Sequence, residues 1–460
     1  MSMPIRDANE GLPDIDAYQI PPPIEGVDLV GSEVDPPVRG SVQDLTPVQY
    51  EGVNCFVARM TDGGSLFDYG RFFYIPGSGE LRTAVRHDIF VGLGRPETWQ
   101  GMSLDDLRDC YDEPVAQYLL DSAVLERFRQ RGVRTHHIGL IDTSVSPARV
   151  ITGERGDVMS DMSLVERFAV VKPTQTAEGY NYDEYFAALE QGQPIVFGVE
   201  NIFRLGIPGG SSLLQRYEKL LQADIGPKER ASRVAELLEP YGVSSLRPWM
   251  RLPCATPDYT TKYQAYDDQL SSDQAARLFG GQFVADHVKD VLALCTAYAH
   301  KYFKHMGLEL WDLKWEVATD GYQIVVVDTV DPDGVRVTAE VRISAGKKVH
   351  VHFNKQAVRD YYRILHPEWI AALGDAKRRS DVEGRDWHDI YDEGVSLGEY
   401  LAVPELEPEF AEIQRRKNAY ISQGVDDSAA RRQIALDELA FYQSKGQDQL
   451  AAFMAFNRAR

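Results

Sequence analysis

The residues best suited to chemistry lie together in Trp311-Asp312-Leu313-Lys314-Trp315-Glu316-Val317. Side chains alternate between the faces of a strand. Asp312, Lys314 and Glu316 therefore share one face, and Trp311, Leu313, Trp315 and Val317 share the other. Twelve residues after Glu316, the apolar run Ile324–Val327 ends at Asp328. Carboxylates with one lysine at a sheet end suit Mg²⁺ and a polyphosphate, because Mg²⁺ takes a few carboxylates plus phosphate oxygens and a lysine adds a point charge. The same spacing also describes a solvated strand face with an i,i+2 ion pair.

The two strands form a hairpin whose loop length decides whether the carboxylates can meet. A two-residue Asp320-Gly321 loop pairs Leu313 with Asp328 and leaves Asp328 on the core face, away from Glu316. A three-residue Thr319-Asp320-Gly321 loop sets Asp312 opposite Asp328. The expectation is an odd-length loop, or a bulge, that brings Asp312, Glu316 and Asp328 to one face.

Other candidates are weaker. Gly206-Ile207-Pro208-Gly209-Gly210-Ser211-Ser212 follows Arg204, and its backbone N–H groups could approach an anion or simply form a turn. Asp331-Pro332-Asp333-Gly334 reads equally as a plain β-turn. His350-Val351-His352 puts two imidazoles on one strand face with no third ligand nearby, which reads as an exposed face. Cys295 sits on the apolar stripe of a helix and reads as core.

The elements that hold these residues read as an α+β protein. Residues 1–38 form a Pro-rich, acidic extended tail. Short strands, Asn54–Met60 and Arg71–Ile75 among them, read as an antiparallel meander from 40 to 83. Leu104–Gly132 reads as helical, and Phe168–Lys172 and Pro194–Val199 read as strands. A capping box at Ser271–Gln274 opens a long helix that stops at Gly307. Phe410–Ser422 and Asp427–Ser444 read as amphipathic helices that pack on the large lobe or form a contact between copies of the chain.

The chain has 460 residues, with 49 basic against 70 acidic side chains and a net charge of −21. So acidic a surface disfavours nucleic acid and anionic lipid. No apolar run reaches the roughly 18 residues needed to span a bilayer. The first ten residues lack a basic-then-apolar leader pattern. Four dispersed cysteines argue against a zinc ribbon or a disulfide framework and for a reducing cytoplasm.

Taken in order, these pieces resemble the SAICAR synthetase family (phosphoribosylaminoimidazole-succinocarboxamide synthases). Gly307–Glu316 is similar to the family's GLILxDxKxEFG strand, and Val326–Arg336 to its xIDExxTPDSSR segment. Thr61–Asp68 resembles TDRxSAFD, Gly132–His136 GIPTH, Pro194–Tyr217 PVExxVRGxxxGSxxxxY, and Phe353–Asp360 FDKQxVRD. Thr256–Lys262 with Tyr266-Asp267-Asp268 resembles TPSTKA…HDE. The likeness runs from about residue 38 to 363.

The resemblance implies a two-lobe fold: a small antiparallel nucleotide-covering lobe over 39–165, a larger mixed lobe with the ATP, Mg²⁺ and substrate site over 166–365, and a helical extension over 366–460. It implies an ATP-dependent ligase that activates a phosphoribosyl-aminoimidazole carboxylate, or a related one, as an acyl phosphate and joins it to aspartate or another amine. Glu316 and Asp328 would then hold Mg²⁺, with Lys314 and Asp312 catalytic and Lys314 and Ser41 on the nucleotide. Arg204, Ser211, Arg336, Ser65, Asp68 and Asp267 would bind substrate.

Most of the departures fall in the first half. Ser41, Gly63 and Ser78 stand where the family carries cations, Gln43 is a fourth neutral position, and Thr329 replaces the glutamate after the metal aspartate. These changes keep open a second reading, a catalytically silent relative that binds a nucleotide or a metabolite.

Overall fold

The computed structural model describes residues 18–31, 36–40, 42–176, 179–264, 268–344 and 347–446. Ser41 and Asp267 lie outside them. Two antiparallel sheets carry the architecture. The first is built on Gln43–Tyr50, Val53–Met60, Met162–Glu166 and His137–Asp142, and tail residues Val27–Leu29 add an edge strand to it. The second runs Gln269–Leu270, Met250–Thr261, Val199–Ile207, Glu309–Thr319, Val335–Ser344, Lys347–His352. Ile195–Val196 and Ile324–Val327 also pair with Glu309–Thr319, here the central strand. Mixed helix and antiparallel sheet make this an α+β fold of two lobes.

The alternation read from the sequence holds on the central strand from Asp312 onward, but a register shift between Leu310 and Asp312 takes Trp311 out of the main core. Leu313, Trp315 and Val317 are buried in the main core. The helix Gln282–His305 packs on that face, and the Trp315 indole donates to Thr296 Oγ1 at 2.9 Å. The Ser271 capping box forms as expected, but its helix ends at Leu278. Gly280 (φ +84°) and Gly281 (φ +136°) break the run, conformations an L side chain rarely adopts. A second helix starts at Gln282. Phe283, in the first turn of that second helix, is exposed.

Other expectations need correction. Phe168–Lys172 is not a strand; only Ala169 bridges, to Ile195. Leu104–Gly132 is mostly helical as expected, divided into three short helices, Leu104–Arg108, Glu113–Leu120 and Ala123–Arg131, each opened by a Ser or Asp cap that accepts a backbone N–H. The meander ends at Tyr74, and Ser78–Gly94 is a helix. That helix buries Arg82, Thr83, Arg86 and His87 beside Val85 and Ile89, so it carries no clean apolar stripe. The His350–His352 face is not open either, since His352 is buried.

The C-terminal extension ties the lobes together. Pro367–Glu383 and Trp387–Ser396 pack on the hairpin Gly63–Leu66/Tyr69–Tyr74, with Trp369 against Phe72 (5.2 Å between ring centroids) and Tyr391 against Tyr69 (5.5 Å). Pro408–Gln423 lies along Ser78–Gly94 in the first lobe. In the second lobe, its Lys417 ammonium donates to the His352 carbonyl at 2.7 Å. Arg155 closes the circle, donating to the Ser422 carbonyl at 2.6 Å. Among the described residues, no helix is long and apolar enough to cross a membrane.

Lys417 and Glu438 form an ion pair that is almost wholly buried. Removing one partner of such a pair strands a charge and costs about 3–5 kcal/mol, whereas replacing both by apolar groups is close to neutral. Lys417→Ala is expected to lower unfolding stability by that amount. Lys417→Met with Glu438→Leu should recover most of it, as measured by urea unfolding.

Candidate active site

The register of the second sheet assembles the polar face of the central strand. Arg204 lies opposite Asp312 on one side, and Arg336 lies opposite it on the other. Cross-strand partners share a face, so the Asp312 carboxylate accepts from Arg336 at 3.0 Å and Arg204 at 3.4 Å. Arg204 also donates to Asp258 twice, at 2.9 and 3.0 Å, and to Ser212 Oγ at 3.0 Å. Arg216 reaches the same Asp258 oxygen at 2.7 Å. Arg204 is thus a buried structural knot, 2% exposed, with its donors turned on neighbouring side chains.

Two residues along, the Lys314 ammonium donates to Glu316 at 2.7 Å and Glu200 at 2.8 Å, and lies 3.6 Å from Asp328. Lys262 pairs with Glu316 from the other side. Burial pulls the Lys314 pKa down, but Glu316, Asp328 and Glu200 outweigh it and hold the group well above its ordinary value. Burial acts against the Glu316 carboxylate too, and Lys314 and Lys262 hold it well below the ordinary range. Asp328 goes the other way, raised by burial and by the adjoining Glu316.

The hairpin reaches this arrangement by a different route from the one expected. Thr319 pairs with Ile324 and Glu316 with Val327, so the loop is Asp320–Gln323, four residues long. Its length is even. Continued regularly, the register would set Asp328 opposite Trp315, on the core face. The strand instead ends at Val327, and Asp328 takes the left-handed conformation (φ +68°), one that Asp enters more readily than most side chains. That single residue swings its carboxylate onto the Glu316 side. His136 Nε2 hydrogen-bonds the Asp328 carbonyl at 3.1 Å and pins the turn.

Glu316 and Asp328, which the resemblance offers as Mg²⁺ ligands, come together on this face around the Lys314 ammonium, 2.7 Å from Glu316 and 3.6 Å from Asp328, with Lys262 also on Glu316. Their oxygens are the hard donors Mg²⁺ takes. Among the described residues, no group of three or more His, Cys, Asp or Glu is arranged to hold a metal. A Mg²⁺ held by two carboxylates would take the rest of its shell from water and phosphate oxygens.

A cavity of about 680 Å³ opens at the Gly209–Ser211 turn that follows the Arg204 strand, lined by Gly210, Ser211, Gln215, Glu218, Arg247 and Arg363. Ser211 precedes the helix Ser212–Gln222, and its Oγ is buried with no hydrogen-bond partner among the described residues. Arg336 and Arg204 are not in the lining. Arg363 is, supplied by the helix Gln356–Leu365. One turn earlier on that helix, Arg359 has no ion-pair or hydrogen-bond partner among the described residues, and burial with nearby Arg336 lowers it to about 10. Sequence reading quoted Phe353–Asp360 without singling out Arg359. It also passed over Glu200 and Lys262, whose partners lie more than 50 residues away.

The first half of the site is differently built. The Asp62 carboxylate accepts from the amides of Gly77 (2.9 Å) and Gly79 (2.8 Å), so the protein's own side chain takes these loop donors. Ser78 Oγ donates to the Asp62 carbonyl at 3.3 Å. Ser65 is half-buried at a bulge in the hairpin. Asp68 is exposed and ion-paired with Lys377 at 2.6 Å, facing the C-terminal helices. Cations enter instead from the helix Ser78–Gly94. Arg82 lies 3.3 Å from both Asp331 and Asp333, and Arg86 donates to Gln43 and Ser163. Asp331, fully buried, also accepts from the Asp333 and Gly334 amides, which makes the Asp331–Gly334 turn part of the inter-lobe contact.

A family model described as SAICAR synthetase matches residues 229–374. An Archaeoglobus fulgidus protein, whose name gives phosphoribosylaminoimidazole-succinocarboxamide synthase as its provisional activity, is 27% identical over 307 residues, covering 66% of this chain and 78% of that one. This chain is thus similar to SAICAR synthetases over 66% of its length. The Candida albicans phosphoribosylaminoimidazole-succinocarboxamide synthase is 26% identical over 152 residues, 33% of this chain and 44% of that one. A solved structure of the Saccharomyces cerevisiae SAICAR synthase complexed with SAICAR overlaps 86% of this chain and 98% of its own, with 15% identity and a TM-score of 0.45. The family-model match contains Lys262, Asp312, Lys314, Glu316, Asp328, Arg359 and Arg363, and leaves out the half in which Gly63 and Ser78 replace family cations.

Arg204→Ala is expected to destabilise the fold by about 3–5 kcal/mol, because it leaves the buried Asp258 and Asp312 short of a counter-charge. Chemical unfolding checks this. A wild-type midpoint would show that Arg204 is not the knot of this face.

Proposed function

We propose that this chain is an ATP-dependent ligase that activates a carboxylate as an acyl phosphate and joins it to an amine. The observation that carries the reading is the convergence of Lys314, Glu316 and Asp328, with Glu200 and Lys262, on one face of the central strand. Glu316 and Asp328 would hold Mg²⁺, which when bound neutralises phosphate charge. Lys314 supplies a fixed positive charge to the nucleotide phosphates, held in place by carboxylates on two strands. Acyl-phosphate chemistry asks little covalent work of a protein, and the rate comes from orientation and charge stabilisation. Ser211 Oγ, Arg363 and Arg359 offer donors for a phosphate on the carboxylate substrate. That favours a phosphorylated substrate of the aminoimidazole-carboxylate type, with aspartate or another amine as acceptor.

One observation favours a second reading. Asp62 occupies the Gly77 and Gly79 amides, and neutral side chains stand at Gly63 and Ser78. A relative that binds nucleotide without turnover would show the same first half.

A matrix of carboxylates and amines, assayed for ATP-dependent phosphate release, decides between them. The ligase reading expects release with one pair, lowered at least about a hundredfold in Lys314→Ala with the circular dichroism spectrum unchanged. Nucleotide binding with no release for any pair supports the silent relative. Charge-assisted hydrogen bonds to phosphate contribute about 1.5–3 kcal/mol. Arg363→Ala is therefore expected to weaken the carboxylate substrate roughly ten- to hundredfold with ATP affinity unchanged, read from the KM of each.

A further inference from the structure

A cavity of about 440 Å³ lies between the C-terminal end of the helix Ser78–Gly94, the helix Ala123–Arg131 and the start of the helix Gln282–His305. Four arginines line it, Arg95, Arg127, Arg131 and Arg134, together with His137 and His287, and no Asp or Glu is in the lining. In a chain with 70 acidic and 49 basic residues this is a marked local reversal of charge. Two of the arginines are committed elsewhere, Arg95 to Glu154 and Arg134 to Glu166. Arg127 and Arg131 have no ion-pair partner among the described residues. Arg127 instead bonds the His287 ring at 2.8 Å. Burial and the neighbouring Arg131 push its pKa down, so the pair is held at a cost that an anion would relieve.

The cavity is separate from the site above. In the strand Ile324–Val327, alternate residues face opposite ways. Val327 pairs with Glu316 and shares its face, while Ile324 lines the cavity on the other side of the hairpin. Phe90 and Phe128 add apolar wall, and the volume falls in the range of small-molecule sites. We propose that this cavity is a second ligand site, which binds a small organic phosphate through the Arg127 and Arg131 guanidinium groups with its organic part against Phe90 and Phe128. Guanidinium forks match phosphate oxygens in pairs.

Calorimetric titration of the full chain with ribose 5-phosphate, and separately with inorganic phosphate, tests the proposal. Wild type is expected to show a saturable step that Arg363→Gln, altered in the other cavity, retains. Arg127→Gln and Arg131→Gln should each weaken that step about tenfold or more, as loss of a charge-assisted contact implies. Arg131 is exposed, so its variant remains informative if Arg127→Gln fails to fold. Wild-type affinity in the folded Arg131→Gln chain, or no saturation by about 10 mM in wild type, overturns the site. Equal affinity for inorganic phosphate and ribose 5-phosphate overturns the role given to Phe90 and Phe128.

Discussion

The ammonium of Lys314 sits among Glu200, Glu316 and Asp328, and much of the second lobe answers to it. Three carboxylates cannot be gathered on one partly buried strand face without opposite charge. Lys314 supplies some of it and Lys262 more, while Arg204 and Arg336 do the same for Asp312. The order of strands follows from this need. Val199–Ile207 and Val335–Ser344 must flank the central strand because they bring the arginines. The other face must be apolar because it seats the long helix.

This part of the protein was legible because strand alternation is a local property. Asp312–Val317 reads the same way in sequence and in space, whereas a register shift beside Trp311 sets that indole outside the main core, against Trp249 and His350. The hairpin was half legible. That the carboxylates must share a face follows from charge. The means of bringing them there, a left-handed Asp328 after an even loop, depends on one φ angle that no pattern encodes. Arg204 was misjudged for a similar reason. Its partner Asp258 is 54 residues away, and only the sheet register shows that its donors are already in use.

The helix Ser78–Gly94 was missed because its buried face is polar. A helix that buries Arg82, Arg86 and His87 looks like an exposed segment to any reading based on apolar period. Yet Arg82 and Arg86 carry charge toward the inter-lobe region from a direction the neutral Gly63 and Ser78 do not suggest. A charge deficit counted on motif positions alone therefore overstates the deficit in space. Arg82 meets Asp331 and Asp333 across 249 and 251 positions of chain, a pairing that exists only once both lobes are folded.

The helix Pro408–Gln423 lies on both lobes at once, through Ser78–Gly94 on one side and the His352 carbonyl on the other. A two-lobed protein without such a strut exchanges ligands by swinging its halves about a hinge. Here a rigid-body swing would have to break the contacts of this helix with one lobe or the other, Arg155–Ser422 on one side or Lys417–His352 on the other. Traffic through the cleft is then left to local fluctuations of side chains and loops, which are faster than domain motion but smaller in amplitude. The extension thereby limits how far the two lobes can part.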